Sequence, residues 1–339
     1  MPYLDYWGWN NYAPDDVGID WVGGGRSTSV KRTGTHSLSV GASNATYIRK
    51  LLGANYATLY YGFAVYFESL PGTRNRMASF SDGSSYQISL TVEADGSLRL
   101  WRGLAGGFDG IGGATSLQQS SAGVFHAATW HHVQIKVTFH GSTGSYEVKL
   151  DSSTLLSGSS ANTITSANAY ANRIGLGDVV PGYTQYFDDV WITDIGFKGD
   201  CAVEGTLPNA NGAVNNFAAS GAASAYLACD DAASKNDDTD YASSGTPGDV
   251  QLFDLNSLVA TTGSVIAAKV WAAMRKDDAG ARDGALVVYS NATQSVRSTV
   301  ALTSTYVYYY EVLLQDPTDT QSWSIAKATA LQAGVKVIS

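Results

Sequence analysis

The stretch that decides the fold reads TWHHVQIKVTFHGSTGSYEVKLD and spans residues 129–151. From Val133 to Phe139 every second residue is apolar, and the residues between them are polar. Because successive side chains of a strand point to opposite faces, this alternation predicts a half-buried β-strand. The polar run 140–145 predicts a turn, and a second alternating run follows it. The whole stretch is therefore predicted to be a β-hairpin.

The same stretch holds His131, His132 and His140, which raises the question of a metal or catalytic site. His131 falls on the apolar parity and His132 on the polar one, so their side chains should point apart and cannot easily bind one metal ion. His132 and His140 share a parity, but eight residues at ~3.3 Å each place them roughly 26 Å apart. We interpret these histidines as parts of a strand that starts beside Trp130.

Composition favours an all-β protein with two domains. The chain has 339 residues, of which 36 are Gly and 20 are Tyr, and only 15% are charged. Tyr suits strands and Gly suits tight turns. The length exceeds what one domain usually needs.

Further alternating or apolar runs are predicted to be strands. They are 59–67, 87–92, 97–102, 186–194, 250–255, 265–274, 285–289, 306–314 and 335–338. Asp95 and Gly96 predict a hairpin turn. The run 265–274 is almost wholly apolar, which predicts a strand buried on both faces. Residues 323–332 are predicted to form a short helix with Gly334 as its C-cap.

The charge pattern and the termini narrow the possible partners. The net charge of −9 argues against a nucleic-acid-binding surface and against attraction to anionic membranes. No apolar run approaches the ~20 residues that a membrane-spanning helix needs. The N-terminal sequence MPYLDYWGWNN shows no secretory signal. Cys201 and Cys229 are expected to be reduced thiols, with one disulfide as the alternative.

Catalytic motifs are missing from the sequence, so we expect a protein without enzymatic activity. A β-glucanase of the jelly-roll type needs carboxylates at alternate strand positions, and the pair Glu93 and Asp95 lies in a predicted turn without a third acid. No G-x-S-x-G motif is present. The glycine-rich run 106–113 lacks the Lys-Ser/Thr of a phosphate loop.

Aromatic side chains are the candidates for a carbohydrate site, because sugar sites combine aromatic faces with a few polar groups. Trp7, Trp9 and Tyr12 near the N-terminus are candidates, as is Trp101, which lies beside Arg99 in the sequence. The alternative is that these aromatic residues belong to the core or to a subunit contact.

Three stretches resemble the concanavalin A-like, or laminin-G-like, jelly-roll family. They are 35–38 (THSL), 130–133 (WHHV) and 187–191 (FDDVW). The resemblance implies a jelly-roll sandwich over residues 1–198. Lectin-like jelly rolls often hold Ca²⁺ through carboxylates, which makes Asp188 and Asp189 the candidate metal ligands, with Asp15, Asp16 or Asp20 approaching from the N-terminus. Because adjacent strand residues face opposite ways, only one of the first pair could join such a site. The acidic residues 237, 238 and 240 are a weaker candidate for calcium.

The chain as a whole resembles a group of tailed-bacteriophage virion proteins that join such a domain to a C-terminal β-domain. The matching stretches are 207–209, 236–241, 275–282 and 333–337. The resemblance implies a structural virion protein, at the tail or baseplate or as a capsid decoration, assembled in the bacterial cytoplasm. Expected partners are other virion proteins, further copies of the chain in a homo-oligomer or on a lattice, and host-surface glycans.

The sequence thus predicts an all-β protein with a jelly-roll sandwich at 1–198 and a smaller β-domain at 199–339. A structural virion role without enzymatic activity is the favoured function. The alternative is a lectin or adhesin that recognises a host receptor. No cofactor is expected apart from a structural calcium ion.

Overall fold

The computed structural model describes residues 4–8, 19–22, 25–41, 47–104, 113–177, 183–231 and 238–339. These residues form two compact units, the first ending at Val203 and the second running over Glu204–Ser339. The sequence analysis placed the domain boundary between residues 198 and 199. Within the described ranges, no helix is long and apolar enough to cross a membrane.

The described part of the first unit is built from strands. They are β1 (Leu4–Trp7), β2 (Ile19–Val22), β3 (Gly25–Ser27), β4 (Ser37–Val40), β5 (Tyr47–Tyr56), β6 (Thr58–Phe67), β7 (Asn75–Ser81), β8 (Tyr86–Val92), β9 (Leu98–Arg102), β10 (Thr115–Gln119), β11 (His131–Thr138), β12 (Gly144–Leu150), β13 (Ser153–Ala161), β14 (Ala171–Leu176) and β15 (Gln185–Thr193).

These strands form two antiparallel sheets that pack face to face. Sheet A has eight strands in the order β13-β12-β11-β6-β15-β4-β3, with β1 also paired to β15. Sheet B has seven strands in the order β10-β9-β8-β7-β14-β5-β2. Many neighbours in space are distant in sequence, so the chain crosses repeatedly between the sheets. The fold is the all-β jelly-roll sandwich that the sequence predicts.

The hairpin at residues 129–151 is confirmed. β11 and β12 pair in register, with Val133 opposite Leu150 and Val137 opposite Tyr146. The apolar parity of β11 is buried, as the alternation predicts.

The core of the first unit lies between the two sheets and is rich in aromatic rings. Tyr61 of sheet A meets Phe80 of sheet B with ring centroids 5.8 Å apart, and Phe63 lies 5.8 Å from Phe187. All four side chains are almost completely buried. Burying one such ring stabilises a fold by about 1.5–3 kcal/mol, so this layer holds the sheets together.

The second unit is also mainly strands. Its elements are β16 (Pro208–Asn215), β17 (Ala218–Ser220), β18 (Tyr241–Ser243), β19 (Val250–Leu255), β20 (Ala268–Met274), β21 (Asp283–Ser290), β22 (Thr293–Ala301), β23 (Val307–Leu313), α1 (Ile325–Thr329) and β24 (Gln332–Val337). A five-stranded sheet has the order β16-β19-β24-β21-β22, and the pairs β17-β18 and β20-β23 form two small sheets. One core cluster joins β20, β21 and β23 through Val270, Val288 and Leu313, with Trp323 beside them.

Two predictions for the second unit are wrong in detail. The run 265–274 is not buried on both faces, because β20 pairs only with β23, so that Val270 is 5% exposed and Trp271 36%. The helix is shorter than predicted, with Ser324 as its N-cap. Gly334 is not its C-cap but lies inside β24, where a Cβ would sit 1.8 Å from the carbonyl oxygen of Gln251.

The two cysteines do not form the alternative disulfide. Cys201 in the first unit and Cys229 in the second are both free thiols. Burial raises the pKa of each thiol to about 11, so both stay protonated at neutral pH.

Candidate functional site

Arginine and aromatic side chains gather on the outer face of sheet B, the face turned away from sheet A. Strands β9, β8, β7, β14 and β5 are adjacent there. One row across them holds Trp101, Ser89, Ser79, Gly175 and Arg49, and the next holds Arg99, Thr91 and Arg76. We call this surface the arginine face and define it by Arg49, Arg74, Arg76, Arg99, Arg173, Tyr86 and Trp101.

Two guanidinium groups lie over the Trp101 ring at one end of the arginine face. The Arg74 Cζ is 4.1 Å from the ring centroid and the Arg99 Cζ is 5.0 Å away. Cations over an indole ring are attracted by its negative π face. The indole Nε1 donates a hydrogen bond to the Thr91 Oγ1 at 3.0 Å. Trp101 is only 6% exposed, so the arginines rather than the ring face the solvent.

One carboxylate serves both of these arginines. The Glu93 Oε1 accepts from the Arg74 Nε at 2.8 Å and from the Thr91 Oγ1 at 2.8 Å, and it is 4.0 Å from the Arg99 Nε. Glu93 leaves the end of β8, and its N–H donates to the Ser97 carbonyl oxygen in the predicted hairpin turn. Two positive charges therefore share one negative charge.

Tyr86 repeats this arrangement further along the sheet. Arg49 donates a hydrogen bond to the Tyr86 Oη, and its Cζ lies 5.5 Å from the ring centroid. The Arg76 Cζ lies 5.3 Å from the same centroid. The ring is thus also flanked by two guanidinium groups.

Small residues form the floor between the two aromatic clusters. Gly175 lies directly between Arg49 and Ser79 in the register, and a Cβ at Gly175 would sit 2.6 Å from the Ser79 Oγ. Ser89 continues this row, and its Oγ donates to the Gly103 carbonyl oxygen at 2.7 Å. The missing side chain at Gly175 leaves space for the Arg49 side chain above the sheet.

Asp82 fixes the loop beside the arginine face. Its carboxylate accepts hydrogen bonds from Ser166, Asn168 and Gln87, and from the backbone of Ser85. Burial alone would raise the pKa of Asp82, but these hydrogen bonds outweigh burial and lower it to about 2. Asp82 is therefore a fixed anion that cannot donate a proton at neutral pH.

The arginine face is positively charged although the chain is acidic. Arg74 and Arg99 share the one carboxylate of Glu93, and Arg173 donates to the uncharged carbonyl oxygen of Gly83. The whole chain carries a net charge of −9. The positive charge is therefore local, and local fields steer charged ligands more than net charge does.

The residues that the sequence predicts to bind carbohydrate lie in different environments. Trp7 is 2% exposed, with the Lys50 Nζ 5.4 Å from its ring centroid and a buried Lys50–Asp5 ion pair at 3.1 Å beside it. Trp7 is thus a core residue and cannot stack on a sugar, which corrects the prediction. Trp9 and Tyr12 lie outside the described residues. Trp101 belongs to the arginine face, but its ring is covered.

The candidate metal ligands Asp188 and Asp189 are completely buried on the outer side of sheet A. A bulge in β15 and a positive φ of 51° at Asp189 break the alternation, so the expectation that the two side chains point apart is wrong. Both carboxylates contact Thr33: the Asp188 Oδ2 accepts from its N–H at 3.2 Å, and the Asp189 Oδ1 from its hydroxyl at 2.7 Å.

These carboxylates are fitted to protein donors and do not fit a calcium ion. The Asp188 oxygens also accept from the N–H groups of Arg32 and Asp189, and the Asp189 oxygens from the Arg32 guanidinium at 2.9 Å and the Val203 N–H. All four oxygens thus have a hydrogen-bond donor, and a cation would have to displace Arg32. Burial and the Asp189 charge raise the pKa of Asp188. The other proposed ligands Asp15 and Asp16 and the side chain of Asp20 lie outside the described residues, as does residue 237.

The histidines of the opening stretch have structural partners. The His131 Nδ1 is 2.7 Å from the Asp151 carboxylate, and its Nε2 accepts from the His126 N–H. His132, on the opposite face, was expected to face water but is 2% exposed. Burial lowers the pKa of His132 to about 4. Over the part of the chain that the structure describes, no three His, Cys, Asp or Glu residues are grouped to hold a metal ion.

Sequence reasoning found Trp101 and Arg99 but missed the other members of the arginine face. Arg49, Arg76 and Arg173 come from strands that are neighbours only after the chain has crossed between the sheets. The sequence signal for these three arginines was weak, because it consisted only of their polar positions in predicted or possible strands.

Comparisons with known proteins complete the description. No family model and no curated protein matches the chain. Among solved structures it is similar to an endo-β-1,4-glucuronan lyase from the fungus Trichoderma reesei, with 12% identity over 56% of this chain and 94% of that one and a TM-score of 0.41. The alginate lyase Aly36B matches with 14% identity over 60% of this chain and 100% of that one, TM-score 0.37. The carbohydrate-binding module CBM66 from Bacillus subtilis matches with 14% identity over 51% and 93%, TM-score 0.34.

Proposed function

We propose that the chain is a glycan-binding protein without enzymatic activity and that the arginine face is its binding surface. The observation that supports this is the pair of aromatic rings, Tyr86 and Trp101, each flanked by two guanidinium groups across a floor of small hydroxyl side chains. Arginine N–H groups suit the hydroxyl and ring oxygens of sugars. Convergent polar groups on a rigid sheet are typical of a binding site.

The carboxylates of this face support a binding role over a hydrolytic one. A glycosidase needs one carboxylic acid that donates a proton and a second carboxylate that acts as nucleophile or base. Glu93 is held by Arg74 and Thr91, and Asp82 has a pKa of about 2. Asp82 is therefore ionised at neutral pH, and the Glu93 carboxylate is occupied by protein donors.

A glycan array probed with the full chain tests the proposal. We expect binding to a subset of glycans, and loss of that binding in a double variant Arg74→Ala, Arg99→Ala. Arg282→Ala is the matched control, because it removes a surface arginine of the second unit that is paired with Asp278. Absence of any bound glycan, or full binding by the double variant, would contradict the proposal.

We also propose that the chain serves as a structural component of a tailed-phage virion, at the tail or baseplate or as a capsid decoration. The support is the sequence resemblance at residues 207–209, 236–241, 275–282 and 333–337. In this setting the chain would be present in many copies beside other virion proteins, and the arginine face would meet host-surface glycans.

Mass spectrometry of purified phage particles, separated into heads and tails, tests the virion proposal. High copy number in the head fraction indicates a decoration protein, and low copy number with tails indicates a tail or baseplate component. Absence from both fractions contradicts the structural role and favours a released lectin or adhesin.

A further inference from the structure

We infer that the ligand of the arginine face is an acidic polysaccharide, one whose repeating units carry carboxylate or sulfate groups. This inference rests on the proposed glycan-binding function and narrows it to a chemical class. It follows from the charge, the donor geometry and the extent of the surface.

The charge of the face is the first argument. Arg74 and Arg99 share the single carboxylate Glu93, and Arg173, on the neighbouring strand β14, donates to the carbonyl oxygen of Gly83 at 3.3 Å. A carbonyl oxygen accepts a hydrogen bond but does not neutralise the cation. An anionic ligand would supply the missing negative charge.

The donor geometry is the second argument. Each guanidinium presents five N–H donors in a planar fork, and a carboxylate or sulfate can accept two of them side by side. The Arg74 and Arg99 side chains are 18% and 24% exposed, so a ligand can reach them from solvent. Arginines that are already oriented by Trp101 or by the sheet lose little freedom when they bind an anion.

The covered ring of Trp101 favours a polysaccharide over a nucleic acid. Proteins that bind single-stranded nucleic acids stack bases on open aromatic faces. On the arginine face Trp101 is 6% exposed because Arg74 and Arg99 lie over it. The face therefore offers charged donors, which match acidic groups and sugar hydroxyls, and no open stacking platform at Trp101.

The extent of the surface indicates an extended ligand. Arg49 lies on β5 and Arg99 on β9, with β14, β7 and β8 between them. Neighbouring strands are ~4.8 Å apart, so these arginines originate roughly 19 Å from each other. A chain that crosses the strands would meet several arginines in succession, and its affinity should rise with its length.

Titration calorimetry of the full chain with matched polymer pairs tests the inference. The pairs are polygalacturonate against the same polymer with its carboxyl groups reduced, and dextran sulfate against dextran. We expect at least one charged polymer to bind roughly tenfold or more tighter than its neutral partner. This binding should weaken when NaCl is raised from about 0.05 to 0.5 M. The two pairs distinguish carboxylate from sulfate recognition.

Single substitutions of arginines test which residues bind the charged polymer. Arg99→Gln and Arg173→Gln should each weaken binding of the charged polymer roughly tenfold. Arg99→Lys should recover only part of the loss, because lysine keeps the charge but not the fork. Arg282→Gln removes one charge from the other unit and should leave affinity unchanged. Melting curves identify any variant that fails to fold. If a variant at Arg99 or Arg173 fails to fold, the variant at the other position provides the test.

The outcomes separate the inference from the proposed function. Equal binding of a charged polymer and its neutral partner would overturn the inference and leave glycan binding intact. Glycan binding by Arg99→Gln, Arg99→Lys and Arg173→Gln that equals wild-type binding would overturn both the inference and the choice of surface. Tighter binding to a single-stranded oligonucleotide than to every polysaccharide would also overturn the inference, and no polysaccharide binding at all would contradict the proposed function itself.

Discussion

The outer faces of sheets A and B both carry charged and aromatic side chains. Other segments of the same unit cover the first face, whereas arginine side chains lie over the second. On sheet A, two segments of the same unit, 28–36 and 195–203, cover the strands. The Arg32 guanidinium meets the Asp189 carboxylate at 2.9 Å, the Gly199 N–H donates to Gln134 at 3.0 Å, and Phe197 packs edge-on against Tyr60 at 5.1 Å. On sheet B, guanidinium groups lie over the strands themselves.

The contrast shows how charge is used in the two places. Each buried carboxylate of the covered face has several protein donors, so its charge is compensated internally. On the arginine face, Arg74 and Arg99 share one carboxylate and keep 18% and 24% of their side chains exposed. A charge compensated inside the fold stabilises structure, whereas an excess of one sign at the surface is available to a ligand.

The largest expected effect comes from breaking the covered face at Arg32. Arg32→Ala leaves the Asp189 carboxylate, which is 0% exposed, without its cation. Removing one partner of a buried ion pair typically costs about 3–5 kcal/mol, and we expect a loss of about 4 kcal/mol in the free energy of unfolding. Urea denaturation measures it. A loss below about 1 kcal/mol would show that this contact behaves as a surface ion pair.

The next effect is a pH dependence from His132. Its folded-state pKa of about 4 lies below the ordinary 6.5, because burial disfavours the charged ring. The stability that the neutral ring contributes is therefore present above pH 6.5 and is lost as the pH falls towards 4. As the pH falls between these two values, the free energy of unfolding of wild type should decrease by up to about 3 kcal/mol relative to that of His132→Gln.

Denaturation curves at several pH values check this difference. His140→Gln is the control, because His140 lies in the turn after β11 and is exposed. Parallel pH profiles for wild type and His132→Gln would contradict the burial argument.

A packing change at Gly62 should have a smaller effect. Trp191 lies directly over Gly62 on the outer side of sheet A, and a Cβ there would sit 2.2 Å from the Trp191 Cε2. Gly62→Ala forces the indole to move, and overpacking of this kind costs about 1–3 kcal/mol. The melting temperature should fall by several degrees, whereas Gly25→Ala, where no atom of the described residues lies within 4 Å of the added atom, should change it little.

The smallest change in stability is expected from a substitution at Trp101. Trp101→Phe keeps an aromatic ring between Arg74 and Arg99 but removes the indole hydrogen bond to Thr91. We expect a loss of about 1 kcal/mol in stability and a modest fall in affinity for an acidic polymer. Trp101→Ala should reduce affinity further, since the two arginines then lose the surface that orients them. Equal affinities for the two variants would show that the ring does not position the arginines.

The sequence was sufficient for the parts of the fold that depend on local patterns. The hairpin of β11 and β12 follows from alternation and turn residues within one short stretch. The same alternation failed at Asp188 and Asp189, because a bulge with a positive φ turns both carboxylates toward Thr33. It also failed at His132, since a polar parity predicts an outer face but not whether another segment covers that face.

The arginine face could not be assembled from the sequence. Arg49, Arg99 and Arg173 become neighbours through the strand order β9-β8-β7-β14-β5, which local patterns do not determine. Trp7 was misread for a related reason. Its strand β1 has only four residues, too few for alternation to show that the ring points into the core.

Hydrogen–deuterium exchange of the full chain, with and without a bound acidic polysaccharide, tests the central claim most directly. Binding at the arginine face predicts slower exchange in β5, β7, β8, β9 and β14, and no change in β6, β11 and β15 of sheet A. Protection confined to sheet A or to the second unit would contradict the assignment of the binding surface.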